Sequence, residues 1–295
     1  MNSTLKVWTG LGLATALMGA GLSGCAGENG EGGEGGEGAE TSVAGEGGEG
    51  EGGEGPGEGG EGEGGETAGG EGEGGEGEGG VSISDAGTDP VVYGSALAIV
   101  EAHAIAARDA YAAGKTEAAA EMFAHPVSEV LADMAPVFAD LGVEDFASTM
   151  TEASSAAQQA DNTAGVEAAY EKIASALGTA SNQAPKSDLS AGAVAAGVTA
   201  DQIERAADMY GQAAGGDAYG LYLDGYGFYK AAAASFERNG AAIETYNSGL
   251  HSDIKAALDV LASAYPSVER PDALDVAQGK LLSASSKVNL GLPAA

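Results

Sequence analysis

The chain contains three histidines, and two of them, His103 and His125, fall in one short stretch together with Glu121 and Glu129. Imidazole nitrogens and carboxylate oxygens are the donors that hold iron, zinc or copper. Glu121 stands four residues before His125, and Glu129 four residues after it. If the helices that carry them pack together, two imidazoles and one or two carboxylates meet. His103, His125, Glu129 and Glu121 are therefore the candidate metal ligands. The same residues also have a structural reading. His103 is then a hydrogen-bonded core residue, and His125 caps a helix N-terminus, with Glu129 answering the helix dipole.

Tyrosines form the second group with chemical potential: Tyr210, Tyr219, Tyr222, Tyr226 and Tyr229. Tyrosinate beside Asp208, Asp217 or Asp224 suits ferric iron. The alternative is packing, because Tyr219, Tyr222, Tyr226 and Tyr229 follow helical spacing and would line a core with their hydroxyls at its rim. No Gly-x-Ser-x-Gly elbow, Gly-x-x-x-x-Gly-Lys-Ser/Thr phosphate loop or His-Glu-x-x-His helix is present. No Ser, His and Asp spacing marks a triad. The expectation is a binding or interaction protein and no enzyme.

The elements that must position these residues are helices. Asp89-Pro90 reads as an N-cap followed by proline at the first helical position. From there Tyr93, Leu97, Val100, His103, Ala107 and Tyr111 mark one face, and Gly114 is the stop. A short helix is expected over Thr116–Ala124. The chain then turns back, and a third helix starts at His125-Pro126, is kinked by Pro136 and ends at Gly142. Further helices are expected near Glu144–Ala160, Thr163–Leu177, Ala200–Ala214, from an Asp217 cap to about Arg238, His251–Ala264 and Asp272–Leu290. The segment 178–190 reads as a connector. An antiparallel hairpin around Gly114 places His103 and His125 at one level. Helix axes about 8–10 Å apart should then bring the rings within roughly 8 Å, with Glu129 or Glu121 as the nearest carboxylate.

Before the helices the composition changes. Lys6, an apolar run to Leu22 and the sequence Leu22-Ser23-Gly24-Cys25 form a secretory leader. The last four residues resemble the lipobox of bacterial lipoproteins. That resemblance implies cleavage before Cys25, diacylglycerol and a further acyl chain such as palmitate on Cys25, and a stable membrane anchor. Ala26 follows where an Asp would stand in lipoproteins held back from the outer membrane, so outer-membrane placement in the cell envelope is expected. The chain has one cysteine, so the domain is not held by internal disulfides.

From Ala26 to about Gly80, Glu and Gly alternate with no Lys or Arg. Such a tract has little to bury and repels itself, which predicts an extended, disordered spacer. A neutral coil of about 55 residues of this composition would span roughly 40 Å. The formal net charge of the chain is −33. That argues against nucleic acid and anionic headgroups as partners, and fits the attraction of cations.

Two resemblances bear on the helical part. His103, Tyr111, Ala112, Gly114, Met122, His125-Pro126, Glu129, Pro136, Phe138, Gly142 and Phe146 look like a family of mostly uncharacterised secreted proteobacterial proteins. Its pattern is His, Tyr-x-Ala-Gly, Met-x-His-Pro-x-x-Glu, Pro-x-Phe and Gly. Met209-Tyr210 and Tyr222 to Phe228 resemble helices in the extracytoplasmic part of high-affinity iron permeases. Here the chain departs from the pattern, with Met209 and Leu221-Tyr222 where Glu-Tyr pairs are expected. The resemblance implies an iron-related extracytoplasmic module.

The resulting expectation is an all-α helical bundle, with two loosely similar halves at 87–180 and 190–295, after a leader at 1–24 and a lipidated tether at 25–86. The echo of Phe123 to Val137 in Tyr246 to Leu261 motivates the two halves. The function expected is a membrane-anchored envelope lipoprotein with a metal-binding, iron-related module. The alternative is a non-catalytic helical interaction domain displayed on a tether to an envelope partner.

Overall fold

The structure, a computed structural model, describes residues 85–293. The expected leader, Cys25 and the expected tether up to residue 84 lie outside them. The described residues form α-helices and one π-helical turn, with no strand among them.

Helix α1 (Pro90–Ala112) is the centre of the bundle and packs against α2 (Thr116–Pro126), α5 (Thr163–Ser181), α6 (Ala191–Ala214) and α7 (Tyr219–Tyr246). It starts where the sequence requires: Asp89 Oδ1 accepts from the amides of Val91 at 2.7 Å and Val92 at 3.3 Å, ahead of Pro90. It ends at Ala113-Gly114, where Gly114 takes φ +79°. A central helix needs apolar residues all round. The buried set of α1 accordingly includes Tyr93, Ile99, Val100 and Ile105 together with Ala96, Ala106 and Ala107.

The expected reversal at His125-Pro126 does not occur. Helix α2 runs through Pro126 into a π-helical turn, Val127–Leu131, and then into α3 (Ala132–Leu141). Val127 and Ala132 keep right-handed helical dihedrals, and the left-handed residue that ends the run is Gly142 at φ +70°. Proline lacks an N–H and crowds the carbonyl four residues back. The helix absorbs this by widening one turn, a usual way to accommodate an irregularity without breaking the element.

Other boundaries moved where tertiary contact outweighed local propensity. Helix α6 begins at Ala191, capped by Ser190 Oγ at 3.1 Å from the Ala193 amide, rather than near Ala200. Its early Gly-rich turns lie against α1, where a Cβ on Gly197 would sit 2.7 Å from Val91 Cγ1. Helix α7 starts after Ala218 with no side-chain cap, rather than from an Asp217 cap, and continues past Arg238 and Gly240 to Tyr246. Helices α4 (Ala147–Ala157), α8 (Ser248–Ala264) and α9 (Gln278–Asn289) complete the bundle. Residues from both sides of the 182–190 connector enter one hydrophobic core, from Phe123 and Ile173 to Tyr210, Phe228 and Leu261.

Candidate metal centre

His103 lies in the middle of α1 and is 4 % exposed. Its Nδ1 is 2.9 Å from the carbonyl oxygen of Ile99, one turn back on the same helix. A carbonyl can only accept, so Nδ1 carries the proton and donates it. The other ring nitrogen is thereby left as the donor atom facing outward from α1. Metal-binding histidines use this arrangement, with the second ring N–H held by a backbone carbonyl or carboxylate.

Nε2 of His103 faces two carboxylates. Oδ1 of Asp224, on α7, is 3.5 Å away, and Oε2 of Glu129, in the π turn, is 4.0 Å away. The ring of His125, at the end of α2, stands edge-on to that of His103 with centroids 5.9 Å apart. On another side the ring of Phe228 meets the imidazole edge-to-face at 5.7 Å. A nitrogen lone pair beside carboxylate oxygens is stabilised by a cation placed between them, whether a second proton or a metal ion. Burial lowers the pKa of His103 below its usual value, and His125 and Arg205 act in the same direction. The Ile99 bond and Glu129 oppose the shift. Desolvation thus works against the second proton.

Three backbone features create this meeting. The α1–α2 hairpin at Gly114 sets His125 alongside His103. The π turn carries Glu129 to the same cleft. Helix α7 comes exceptionally close to α1 at Gly227, where a Cβ would stand 2.6 Å from the carbonyl oxygen of Ala102. Asp224 and Phe228 are spaced by four residues, so they project from one side of α7. One presents its carboxylate to His103 and the other packs on the ring.

One ligand atom each from His103, His125 and Asp224 lie within 4.8 Å of one another. Metal bonds of about 2.0–2.2 Å put neighbouring ligand atoms roughly 3.3–3.6 Å apart in a tetrahedron. The His103–Asp224 distance of 3.5 Å already fits. His125 and Glu129 are only partly buried, which leaves their side chains room to rotate toward an ion. The group can hold a transition metal ion through two nitrogens and one or two oxygens.

The two imidazole rings approach within the distance expected from the hairpin, but the carboxylate nearest to His103 is Asp224, not Glu129 or Glu121. Glu121 is exposed and lines an open groove with Thr116, Glu117, Ser154 and Gln158, facing α4. It is not part of the cluster. Asp224 has its own sequence signal, a carboxylate within the buried run Tyr222–Phe228. Arg205, on α6, is the second unforeseen participant. Its guanidinium lies 5.9 Å from the centroid of the Phe228 ring.

The tyrosines take structural partners. Tyr219 donates to the carbonyl of Val268 at 3.0 Å, Tyr222 to that of Ser267 at 2.8 Å, and Tyr226 to Asp109 Oδ2 at 2.8 Å. Tyr210 accepts from the Val276 amide at 3.0 Å. Burial raises the pKa of Tyr222 to about 12, which disfavours the phenolate that iron would need. Asp217 is exposed, and Asp224 belongs to the histidine cluster. No family model, curated protein or solved structure matches the chain.

Proposed function

We propose that the helical domain is a metal-binding module in which His103, His125 and Asp224 hold a transition metal ion, with Glu129 as a further ligand. The observation that carries this reading is the single cleft where Nε2 of His103, backed by the Nδ1–Ile99 bond, faces two carboxylates beside a second imidazole. Iron is the metal favoured by the sequence resemblance. The lipobox-like Leu22–Cys25 makes the protein an envelope lipoprotein whose tether holds the module away from the membrane. Its work is then binding or delivery of the ion, without catalysis.

A metal titration of the full chain with ferrous, zinc and cupric ions, followed by calorimetry and thermal melting, tests the reading. At free ion of 100 times Kd, linkage stabilises the fold by about 2.7 kcal/mol. For a domain of this size that raises Tm by roughly 5–10 °C. His125→Ala should abolish the rise. In the competing reading His103 is protonated and pairs with Asp224 only to tie α1 to α7. That reading gives no heat and no metal-dependent Tm, and such a result would falsify the proposal. For the anchor, Cys25→Ser should move the protein from the membrane to the soluble fraction.

A further inference from the structure

The charges around the cleft are unequal in kind. Asp224 and Glu129 bring two negative charges to two imidazoles, which balances a divalent ion. Arg205 adds a fixed positive charge on the α6 side. Its guanidinium is held at Nε by Asp201 Oδ2, 3.0 Å away, and sits 5.9 Å from the centre of the Phe228 ring, whose other contact is His103 at 5.7 Å. The guanidinium side chain is 16 % exposed, so bulk water screens it only in part. The guanidinium and the His103 imidazole thus share one aromatic neighbour, Phe228. A fixed positive charge so placed repels a metal cation held at Nε2.

Resting on the metal-site reading above, we propose that Arg205 sets the charge selectivity of the site, biasing it toward divalent and against trivalent ions. Arg205 is not a ligand. It acts through the field it places on the ion, and the consequence is that iron is held as Fe(II). Coulomb energy is proportional to the charge of the ion at fixed geometry. Removing the guanidinium therefore favours a trivalent ion one and a half times as much, in log affinity, as a divalent one. Loss of packing or general loosening of the site has no reason to follow that ratio.

The test uses the full chain and two redox-inert probes, Zn(II) and Ga(III), with His125→Ala subtracting what the Glu-rich tract binds. Arg205→Gln should tighten Zn(II) by about tenfold and Ga(III) by about thirtyfold, from a charge in a partly screened setting. Arg205→Lys, which keeps the charge, should restore both affinities toward wild type. With iron loaded anaerobically, Arg205→Gln should lower the potential of the bound Fe(III)/Fe(II) couple, by about 59 mV for each tenfold gain in ferric over ferrous affinity. Equal changes for both ions, or an unchanged potential, overturn the role of Arg205 while leaving the site intact. If Arg205→Gln does not fold, the Lys variant still decides, because a Zn(II):Ga(III) preference that shifts with the charge retained also overturns it. Absence of His125-dependent binding of either probe in the wild type overturns the site reading itself.

Discussion

Nε2 of His103 and Oδ1 of Asp224 face each other at 3.5 Å, with the two side chains 4 % and 8 % exposed. A contact between these groups in so dry a place is strengthened when a cation joins them. Asp224→Asn keeps the shape and removes the charge. It should weaken metal binding by at least about 100-fold, beyond the range seen when an outer partner of a ligand is lost. Calorimetric titration of the variant against wild type checks this, and unchanged affinity would take Asp224 out of the ligand set.

The pH dependence of the metal-free protein follows from the lowered pKa of His103, caused first by burial. A histidine whose folded pKa lies below its unfolded value is protonated more readily in the unfolded chain. Its contribution to stability is therefore complete above the unfolded value of about 6.5 and is lost as pH falls toward the folded value. Thermal melts from pH 8 to pH 5 should show Tm falling on the acid side. His103→Gln should flatten that part of the profile. Bound metal should protect down to a lower pH, because the ion competes with the proton for Nε2. A profile of the metal-free protein that rises on acidification contradicts the assignment.

Much of this arrangement was legible in the residue order, and what was not has identifiable physical causes. Asp89-Pro90 and Gly114 delimit α1, and the hairpin between them and Pro126 puts His103 and His125 together from spacing alone. The residue order places Asp224 beside the tyrosines and does not show its meeting with His103, because the two lie on helices distant in sequence and the close approach at Gly227 that unites them is a tertiary event. Glu121 was misplaced for a local reason. The spacing of four on each side of His125 treats Glu121 and Glu129 alike, but the π turn after Pro126 changes the rotation on one side only. Helix α6 begins before its expected start because Gly192 and Gly197, poor helix formers in isolation, are where α7 and α1 come close.

Glu129 and Glu121 therefore separate cleanly in an experiment. Glu129→Gln removes a carboxylate 4.0 Å from Nε2 and should weaken divalent metal binding by about tenfold, the scale of one partly screened charge. Glu121→Gln should leave it within experimental error. Equal losses from the two variants would mean that general acidity of the surface, not the cleft, gathers the ion.

The tyrosines permit a spectroscopic test. Tyr226 donates to Asp109 Oδ2 across the α1–α7 interface at 2.8 Å, and a hydrogen bond to a carboxylate is worth about 1.5–3 kcal/mol. Tyr226→Phe should lower stability by that order in a urea melt and leave metal affinity unchanged. Addition of ferric iron to the wild type should produce no phenolate charge-transfer band in the visible spectrum. The appearance of such a band, lost in Tyr226→Phe or Tyr222→Phe, would transfer the site to the tyrosines.

Glycine at 227 links packing directly to the site, and it yields the sharpest stability prediction. A Cβ there would stand 2.6 Å from the carbonyl oxygen of Ala102 and 3.0 Å from its carbon, so the obstacle is backbone that cannot rotate aside. Gly227→Ala has to push α7 away from α1 by several tenths of an ångström. Overpacking of that kind costs about 1–3 kcal/mol. Asp224 rides on the same helix one turn earlier, and metal ligands must hold their distances to within about 0.2 Å. The substitution should therefore lower stability and weaken metal binding together, the latter by tenfold or more, about what 1.4 kcal/mol of lost ligand geometry produces. Gly220 is the control. It lies near the start of the same helix with nothing within 4 Å of a Cβ, so Gly220→Ala should stabilise by about 0.4–1 kcal/mol through the unfolded chain and leave the metal site alone. Paired urea melts and zinc titrations of the two variants give opposite signs in stability and a loss of affinity in only one. If Gly227→Ala binds zinc as wild type does, the close approach of α7 to α1 is not what positions Asp224.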